Sequence, residues 1–527
     1  MPSPADQPRT LGTLVADAAA RWPEHTALEH DGRRLGFAEL HLRVERAAAR
    51  LAAAGLTRTS TAALLFDNTV DCVIAFLAVA RTGARLVTAE PHSTPAQLRA
   101  LADELGRLTL IGRAERLAAL RASGPWPGPV VEAGEFGAGK FGAGEFGADT
   151  PRAGAPGPEA PAGPAGDAPF LYQFSSGSTG APKAAVHTQD NLVQGAEIYR
   201  ESFGYGPQDT VVTAVPLLHS FGLVAGLVAS LLTGARLVVL GRFAPGRLLS
   251  ELARTGATVL VATPQAYDLL TRSVAAAPEA ALSLRLCLSS GAALHPDTGR
   301  RFTERLGIAI SEVYGCTEAG IIASQRAVSG SAPAAGGGGV GRPAPGVEVR
   351  LVDDAGEPVA PGSAGLLLVR TPAMFLGYLD RPEVTATVLR EGWYVTGDLA
   401  RLDEDGRLHL IGRKDSFINV GGKKVNPVEV ERVLLGHPLL TEAVVWGEAL
   451  PDGGQRVRAT VVAAGPLSAA ELSRHCRERL QPHQVPGRVE FADSLPKSSS
   501  GKTRRAEVAA AAPGGTAGTI DQGGARS

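Results

Sequence analysis

The sequence predicts an α/β protein with two parts. The first is a large N-terminal domain of mainly parallel α/β sheets plus a small β-rich subdomain, and the second is a small, mobile α+β C-terminal domain. Three observations support this prediction. The chain has 527 residues, which is too long for one compact core. A strand–helix–strand rhythm over 61–90 recurs at 211–240 and 257–290, as in parallel sheets. From residue 347 the rhythm gives way to short strands with turns.

The first rhythm can be followed element by element. Residues 11–55 are predicted to be helical, with one strand inserted after Asp31. TAALLF (61–66) is a short apolar strand, 70–84 has helical periodicity and a glycine stop, and RLVTAE follows as a strand. These alternating elements form one parallel strand–helix–strand unit.

The second rhythm contains an uncharged stretch, residues 211–235, with the length of a membrane span. Pro216, His219 and Ser220 interrupt it, and two glycines weaken a helix there. We therefore predict a buried core segment and no integral membrane segment.

Beyond Arg413 the pattern predicts a separate α+β unit. Its elements are a helix at 427–436, strands at 441–448 and 456–463, a helix at 468–480 and a strand near 487–492. The predicted domain limits are 1–412 for the N-terminal domain, 413–416 for a hinge, 417–510 for the C-terminal domain and 511–527 for a disordered tail.

A low-complexity insertion is predicted inside the N-terminal domain. Residues 134–148 are three pentamers, GEFGA, GKFGA and GEFGA, and a Pro/Ala/Gly tract follows. Such a composition buries too little apolar surface to offset its ordering entropy. Residues 133–168 are therefore predicted to be a disordered surface insertion.

Composition excludes several functional classes. The formal net charge is −1, which argues against nucleic acid or an anionic membrane as a partner of the whole chain. The four cysteines are far apart and form no C-x-x-C pair, which favours a reduced, cytoplasmic setting over a disulfide framework or a cysteine metal site. The N-terminus has no apolar segment typical of a signal peptide. The chain carries no compelling oligomerisation signal.

The segment FSSGSTGAPK (174–183) is predicted to bind phosphate. Glycines let backbone N–H groups approach an anion, hydroxyls donate further hydrogen bonds, and Lys183 supplies a positive charge. The apolar strands FLYQF and AAVHT on either side disfavour the alternative, a flexible Ser/Gly linker. The predicted phosphate-binding residues are Ser175, Ser176, Gly177, Ser178, Thr179, Gly180 and Lys183.

Seven motifs in order resemble the adenylate-forming superfamily of acyl-CoA synthetases, luciferases and peptide-synthetase adenylation domains. They are similar in style to those of coumarate–CoA-ligase-like enzymes, and the resemblance covers roughly 12–508 apart from the insertion. After the phosphate loop come PLLHSFGL (216–223), SSGAAL (289–294), VYGCTEAG (313–320), GWYVTGDLA (392–400), GRKDSFINVGGKKVNPVEVE (412–431) and LPKSSSGKTRR (495–505).

The resemblance implies ATP-dependent activation of a carboxylic acid, with pyrophosphate as leaving group. Glu318 would be a Mg²⁺ ligand and Thr317 would bond a phosphate oxygen, although outside this motif Glu318 would be read as a solvated loop carboxylate. Asp398 would accept the ribose hydroxyls, its alternative being a turn residue. Gly291, Ala292 and Tyr314 would contact the adenine, and Arg413 would reach the ribose.

The resemblance also implies that the small domain takes part in both half-reactions, adenylation and the later transfer to a thiol. Lys502 would contact the reacting carboxylate and α-phosphate, with Lys497 as its competitor in the same motif. Asp415 would absorb the backbone change at the hinge. Gly421 and Gly422 would line a channel for the pantetheine arm of CoA or of a carrier protein.

The resemblance further implies that His219, Phe221, Ser290 and Gly315 would line the acid pocket, with Gly291 and Tyr314 beside them. The alternative for His219 is a buried structural histidine. No carboxylate that would hold an α-ammonium group lies between Leu217 and Leu232, so a fatty or aromatic acid is favoured over an amino acid.

Three residues depart from the family pattern, namely Gln189, Val395 and Asn419. The first two concern residues that support the site, and Asn419 bears on the identity of the thiol acceptor. Three hypotheses follow. The chain is an acyl-CoA synthetase, a stand-alone enzyme that loads a carrier-protein phosphopantetheine, or a non-catalytic nucleotide-binding relative.

Overall fold

The computed structural model describes residues 9–134, 166–175, 183–241, 243–273, 282–326, 339–421, 423–450, 454–497 and 503–511. Most of the predicted insertion and all of the predicted tail beyond residue 511 lie outside these ranges. The ends of the predicted insertion belong to the fold, because the backbone N–H of Ala133 donates to the carbonyl of Gly112 and the carbonyl of Gly166 accepts from Asp190.

The chain divides into two compact units. The first contains residues 1–177, 181–349 and 369–394, and the second contains 178–180, 350–368 and 395–527. Two strands of the predicted β-rich subdomain therefore group with the C-terminal residues, which differs from the limit drawn at residue 412. The limits of the domains stay a prediction.

The helices and strands alternate along most of the chain. The helices are α1 (Leu11–Arg21), α2 (Phe37–Ala53), α3 (Val70–Thr82), α4 (Pro95–Leu105), α5 (Ala114–Ala122), α6 (Gln189–Phe203), α7 (Ala229–Thr233), α8 (Pro245–Thr255), α9 (Pro264–Ser273), α10 (Pro296–Leu306), α11 (Pro382–Val388), α12 (Pro427–Leu435), α13 (Ala469–Arg477) and α14 (Arg505–Ala511). A π-helical turn, Gly222–Val228, precedes α7, and Lys414–Ser416 forms a 3₁₀ turn.

The strands are β1 (Thr26–His30), β2 (Arg33–Gly36), β3 (Thr61–Leu65), β4 (Arg85–Ala89), β5 (Leu108–Gly112), β6 (Val130–Glu132), β7 (Pro169–Ser175), β8 (Lys183–Thr188), β9 (Thr210–Thr213), β10 (Arg236–Val239), β11 (Val259–Ala262), β12 (Leu286–Ser289), β13 (Ile310–Cys316), β14 (Gly320–Gln325), β15 (Gly339–Pro343), β16 (Glu348–Val352), β17 (Gly365–Arg370), β18 (Gly377–Tyr378), β19 (Leu389–Arg390), β20 (Trp393–Leu402), β21 (Leu408–Arg413), β22 (Ile418–Val420), β23 (Lys423–Val425), β24 (Leu440–Ala449), β25 (Gln455–Ala463) and β26 (Arg488–Phe491).

Two mainly parallel sheets build the first unit. In one, the strand order is β15-β14-β13-β12-β11-β9-β10-β1-β2, and the neighbours from β13 to β1 are parallel. In the other, the order is β18-β8-β7-β4-β3-β5-β6, and the neighbours from β7 to β6 are parallel. The predicted fold class, mainly parallel α/β sheets followed by a smaller α+β region, is confirmed.

The unit β3-α3-β4 shows how the sequence specifies these elements. The Thr69 side chain accepts a hydrogen bond from the Cys72 backbone and caps α3. Gly83 ends the helix at φ +75°, a conformation that glycine adopts without strain. Almost every side chain of α3 is buried, which explains why its apolar residues surround the helix and do not form one stripe.

The uncharged stretch 211–235 is buried, as predicted, and divides into a strand and a helical segment. β9 carries its first part, and from Gly222 to Leu231 every residue is buried. Within the described residues, no helix has the length and apolarity needed to cross a membrane. None of the four cysteines, all of which are described, forms a disulfide bond.

The second unit contains the small α+β fold predicted from residue 417 onward. β24, β25 and β26 form one sheet, and its core includes Val430, Leu434, Val445, Val457 and Leu472. The predicted helices and strands of this region agree closely with α12, β24, β25, α13 and β26. The short helix α14 was not predicted.

Candidate functional site

The sequence-predicted site residues of the first unit follow the carboxyl ends of neighbouring parallel strands. The loop after β9 carries His219, and β12 is followed by Ser290 and Gly291. β13 is parallel to β12 and ends at Cys316, directly before Thr317 and Glu318. Because the carboxyl ends of parallel strands meet at one edge of a sheet, the fold brings these motifs together.

The second sheet presents its own strand ends close to the first. Gln173 on β7 donates a hydrogen bond from Nε2 to the carbonyl oxygen of Leu218 at 2.6 Å, and Leu218 lies in the loop that follows β9 of the other sheet. Glu90 follows the end of β4, and its negative charge acts on His219. These contacts place the ends of β4 and β7 beside the predicted acid pocket.

Lys183, Tyr378 and Glu318 form a contiguous group. The Tyr378 hydroxyl donates a hydrogen bond to Oε1 of Glu318 at 2.8 Å. The Lys183 ammonium lies 5.4 Å from the centroid of the Tyr378 ring, within the range of a cation–π interaction. The backbone of Glu318 is also fixed, because its carbonyl accepts from the Phe375 N–H at 2.8 Å. Two oppositely charged residues predicted for ATP binding therefore contact one tyrosine.

Glu318 fits a magnesium site that is completed by substrate. Its side chain is buried, and one carboxylate oxygen accepts from Tyr378. Within the described ranges, no group of three or more His, Cys, Asp or Glu residues could hold a metal ion. This donor set suits Mg²⁺, which proteins commonly bind through one or two carboxylates together with substrate phosphates.

His187 lies on the same strand as Lys183. Residues 183, 185 and 187 share one face of β8, because side chains alternate along a strand. The ring is buried and lies 6.4 Å from the ring of Phe375. Burial lowers the pKa of His187 to about 4, a change that the Thr317 backbone partly opposes. His187 is therefore neutral near pH 7.

The turn between β13 and β14 has little space for side chains. A Cβ atom on Gly315 would lie 2.2 Å from the carbonyl oxygen of Gly320, so residue 315 must be glycine in this pairing. Gly320 itself has φ +65°. Tyr314, which precedes Gly315, lies opposite Ala323 of β14. The turn that carries Thr317 and Glu318 is thus fixed by backbone packing.

The predicted acid-pocket residues around His219 include buried apolar neighbours such as Leu217, Leu218 and Leu223. Burial lowers the pKa of His219, and the charge of Glu90 opposes this change. The Phe221 ring centroid lies 6.4 Å from that of Tyr199 on α6. The π-helical turn begins at Gly222, where a Cβ atom would lie 2.5 Å from the carbonyl oxygen of Pro216. Turns of this type occur frequently at functional sites.

The adenine-contact segment has a more open geometry. Ser290 is buried, whereas Gly291 and Ala292 are exposed. Gly291 has φ +93°, and a Cβ atom there would meet nothing within 4 Å. Glycine is needed at this position for the backbone conformation and not for space.

In the second unit, Asp398 and Arg413 face each other across the hairpin of β20 and β21. Nη1 of Arg413 lies 3.7 Å from Oδ1 of Asp398 and donates to the Thr396 carbonyl at 2.9 Å. The Asp398 N–H donates to Oγ1 of Thr396 at 3.0 Å. Gly397 lies between them at φ +77°, and a Cβ atom on it would lie 2.9 Å from Nη2 of Arg413. This hairpin brings the two predicted ribose contacts together.

Other predicted residues of the second unit have local partners. Asp415 lies in the 3₁₀ turn, and its Oδ1 accepts from Nε of Arg413 at 3.3 Å. Gly421 has φ +56° with no atom within 4 Å of a Cβ position, so its requirement is conformational. Lys497 forms an ion pair with Glu442 at 2.9 Å. The hinge and the pantetheine channel stay predictions.

Several predicted residues lie outside the described part of the chain. They are the phosphate-loop residues Ser176, Gly177, Ser178, Thr179 and Gly180, the channel residue Gly422 and the catalytic candidate Lys502. The backbone of Ser175 ends β7 opposite Lys183. The loop therefore lies between two strands, as predicted, and the structure shows that these strands are antiparallel.

Sequence reasoning missed Tyr378 and His187. For His187 a signal existed, because its separation from Lys183 by four positions on one strand places both residues on the same face. For Tyr378 no local signal existed. Its role depends on the pairing of β18 with β8, which joins segments almost two hundred residues apart.

Comparisons with known proteins agree with this geometry. A model of the AMP-binding enzyme family matches residues 15–379, and one of the AMP-binding enzyme C-terminal domain matches 429–502. The chain is 32% identical over 513 residues to an oxalate–CoA ligase of Arabidopsis thaliana, covering 95% of this chain and 98% of that protein. It is 34% identical over 506 residues to a feruloyl-CoA synthase of Amycolatopsis sp., covering 94% of this chain and 98% of that protein.

A solved structure of a related enzyme has a similar fold. The O-succinylbenzoate coenzyme A synthetase of Bacillus subtilis, in complex with ATP and magnesium ion, superposes with a TM-score of 0.80 at 27% identity. The match covers 93% of this chain and 98% of that chain. Because its motifs occur in the family's order along the chain and the family model matches most of its length, the chain belongs to the family of AMP-binding enzymes.

Proposed function

We propose that this protein is an AMP-forming acid–thiol ligase. It activates a carboxylic acid with ATP to give an acyl-adenylate and pyrophosphate, and it then transfers the acyl group to the thiol of CoA. The observation that carries this proposal is the group formed by Lys183, Tyr378 and Glu318 beside strand ends that carry an apolar acid pocket. Relatives that are CoA ligases over nearly their full length support the same reaction.

In the first step a carboxylate oxygen attacks the α-phosphorus of ATP and pyrophosphate leaves. Both reactants are anions, so neutralising and aligning charge dominates the catalysis. Lys183 binds phosphate oxygens, and Thr317 donates a hydrogen bond to another. Glu318 and the phosphates would hold Mg²⁺, which would supply further charge neutralisation.

The remaining nucleotide contacts are assigned to the other motif residues. Tyr314, Gly291 and Ala292 contact the adenine, and Asp398 accepts hydrogen bonds from the ribose hydroxyls. Arg413 holds the Asp398 carboxylate from across its hairpin and reaches the ribose. Each assignment rests on the motif and on the local geometry of its own unit.

For the acid we favour a fatty or aromatic compound. Phe221 and the buried π-helical turn give the pocket an apolar wall, with Ser290 and Gly315 completing it. Burial lowers the pKa of His219, so its ring stays neutral near pH 7 and does not attract an acid by charge. The two named relatives act on oxalate and feruloyl groups, which differ chemically, so similarity alone does not choose the acid.

In the second step the thiol attacks the acyl carbonyl and AMP leaves. We propose that Lys502 acts in the first step. The conformational change between the two steps is assigned to the hinge at 413–416, around Asp415. The pantetheine arm runs beside Gly421 and Gly422. A carrier-protein phosphopantetheine presents the same arm, and the exposed Lys423 and Lys424 suit an acidic carrier as well as the phosphates of CoA.

The four cysteines without disulfides support a reducing compartment such as the cytoplasm.

Pyrophosphate–ATP exchange with a panel of fatty, aromatic and dicarboxylic acids tests the proposal. We expect exchange that depends on one acid class, followed by thioester formation with CoA when CoA is added. The matched negative control is Glu318→Gln, for which exchange should fall by about a hundredfold or more.

The outcomes separate the alternatives. Thioester formation only with a phosphopantetheine carrier would replace CoA as the acceptor. Absence of acid-dependent exchange for every acid class would contradict the proposal and favour a non-catalytic nucleotide-binding protein.

A further inference from the structure

Tyr378 contacts two charged residues through different parts of one side chain. Its hydroxyl donates to Glu318 at 2.8 Å, and its ring face lies 5.4 Å from the Lys183 ammonium. The two charged groups serve different ligands in the proposed function, since one contacts the metal and the other the phosphates. A rigid aromatic ring therefore connects the two parts of the nucleotide site.

The fold holds this ring from several directions. In the pairing of β18 with β8, Tyr378 lies opposite Ala185, two residues beyond Lys183. The Tyr378 N–H donates to Oγ1 of Thr385 at 2.9 Å. The Phe375 ring packs edge-on against it, with ring centroids 5.1 Å apart. These contacts fix the direction in which the ring and hydroxyl point.

The preceding glycine contributes to the same placement. Gly377 has φ +140°, and a Cβ atom on it would lie 2.6 Å from Cγ2 of Thr385. Only glycine allows β18 to lie this close to the start of α11. Behind the ring, the Tyr394 hydroxyl hydrogen-bonds the hydroxyl of Tyr378, which leaves the Tyr378 proton for Glu318.

We propose that Tyr378 is a positioning residue for magnesium–ATP. Its hydroxyl fixes one oxygen of the Glu318 carboxylate so that the other is presented to the metal, and its ring face keeps the Lys183 ammonium at the phosphates. This role rests on the proposed function.

The chemistry of the groups supports both contacts. A phenolic hydroxyl is protonated near neutral pH, so Tyr378 can donate its proton to the Glu318 carboxylate at the observed 2.8 Å. Hydrogen bonds to charged groups are stronger than those between neutral groups, and groups that orient a metal-binding carboxylate affect metal affinity. The ring contributes a separate cation–π attraction to Lys183.

The test separates the hydroxyl from the ring. Tyr378→Phe removes only the hydroxyl, whereas Tyr378→Leu removes the ring as well. Tyr267→Phe is the matched control, because Tyr267 lies in the same unit and its buried hydroxyl shares its proton between the backbone oxygens of Leu260 and Leu288 and contacts no charged group in those bonds. ATP binding is measured by calorimetry at a series of Mg²⁺ concentrations, and the thermal unfolding midpoint is recorded for each protein.

For Tyr378→Phe we expect the Mg²⁺ concentration that gives half-maximal enhancement of ATP binding to rise about 10- to 100-fold. Binding of ATP without metal should stay near the wild-type value, because the ring still contacts Lys183. Tyr378→Leu should in addition weaken metal-free ATP binding several-fold. Tyr267→Phe should lower the unfolding midpoint and leave both binding measurements unchanged.

Two results would overturn the inference. One is a Tyr378→Phe protein with wild-type Mg²⁺ dependence, and the other is a loss of the same size with and without metal together with a lowered unfolding midpoint, which indicates a structural role alone. A wild-type protein that does not bind magnesium–ATP would instead contradict the proposed function itself, so the two failures are distinguishable.

Discussion

His187 is a titratable residue that the fold keeps uncharged. It lies on β8 two positions beyond Ala185, with its ring buried against Phe375. Desolvation penalises the charged imidazolium, which lowers the pKa of His187 to about 4. The Thr317 backbone acts on this ring, and the proposed metal ligand Glu318 is the next residue. A neutral His187 therefore avoids a second positive charge beside the proposed metal.

This burial predicts a pH dependence of stability. The unfolded chain takes up the proton near pH 6.5, whereas the folded chain takes it up near pH 4, so the free energy of unfolding decreases as pH falls through this window. Between pH 7 and pH 5 the loss from His187 should be about 2 kcal/mol. Urea unfolding of His187→Phe should show a correspondingly smaller loss.

The exposed His25 provides the matched control for this measurement. His25→Gln should keep the wild-type pH dependence. If His187→Phe and the wild type lose the same stability between pH 7 and pH 5, His187 is not the group that titrates.

At the scale of elements, the hairpin of β20 and β21 depends on two glycines in similar conformations. Gly397 has φ +77° and Gly406 has φ +71°. A Cβ atom on Gly397 would collide with the guanidinium of Arg413, whereas one on Gly406 would meet nothing within 4 Å. The two positions therefore separate backbone strain from displacement of Arg413.

Gly397→Ala is expected to weaken ATP binding about tenfold, equivalent to roughly 1.4 kcal/mol, because it displaces Arg413 from Asp398. Gly406→Ala carries a similar backbone cost of about 1–2 kcal/mol but should leave ATP affinity unchanged. The ATP KM in pyrophosphate exchange and the unfolding midpoint distinguish the two. Equal ATP affinities for both variants would contradict the placement of Arg413.

Elements whose period and boundary residues agree were predictable from the sequence. The helix over 70–84 carries a Thr cap and a glycine stop, and the structure ends it at Thr82. The motifs at strand ends were also predictable, because a parallel sheet collects its carboxyl ends at one edge. The π-helical turn at Gly222–Val228 was not, since an apolar run fixes burial but not the number of residues per turn.

Contacts between distant segments were beyond local reasoning. The pairing of β18 with β8 brings Tyr378 to Glu318, yet nothing within the segment around Tyr378 specifies its partner strand. The same limit applies to Gln173 and Leu218, which join the two sheets of the first unit. Such contacts depend on how the sheets pack, which local periodicity does not encode.

At the scale of the whole molecule, the residues proposed for nucleotide binding and the C-terminal lysine motif are divided between the two units of the chain. Lys183, Glu318 and Tyr378 belong to the first unit, and Asp398 and Arg413 belong to the second. The C-terminal lysine motif also belongs to the second unit. Within that motif Lys497 forms an ion pair with Glu442, and its backbone bridges to Thr503.

We expect Lys502→Ala to reduce acyl-adenylate formation by about a hundredfold or more while sparing thioester formation from a supplied acyl-adenylate. The reason is that its charge is proposed to act only while the α-phosphorus is attacked. Each half-reaction is measured separately. Lys497→Ala is the control and should keep near-normal adenylate formation, because Glu442 already holds that ammonium.

A loss of the same size in both half-reactions of Lys502→Ala would contradict the assignment. A larger loss of adenylate formation in Lys497→Ala than in Lys502→Ala would transfer the role to Lys497.

Because of the π-helical turn Gly222–Val228, the lining of the proposed acid pocket can change through the insertion or deletion of a residue. A π-helical turn accommodates more residues than an α-helical turn. Deleting one residue from it would allow an ordinary α-helix, which would change the backbone and side chains of the turn itself while the segments on either side keep their orientation, because the wide turn absorbs the extra residue. A single-codon deletion or insertion would therefore change which side chains line the wall of the proposed acid pocket after Phe221. It would require no substitution in the strands that hold the proposed nucleotide site.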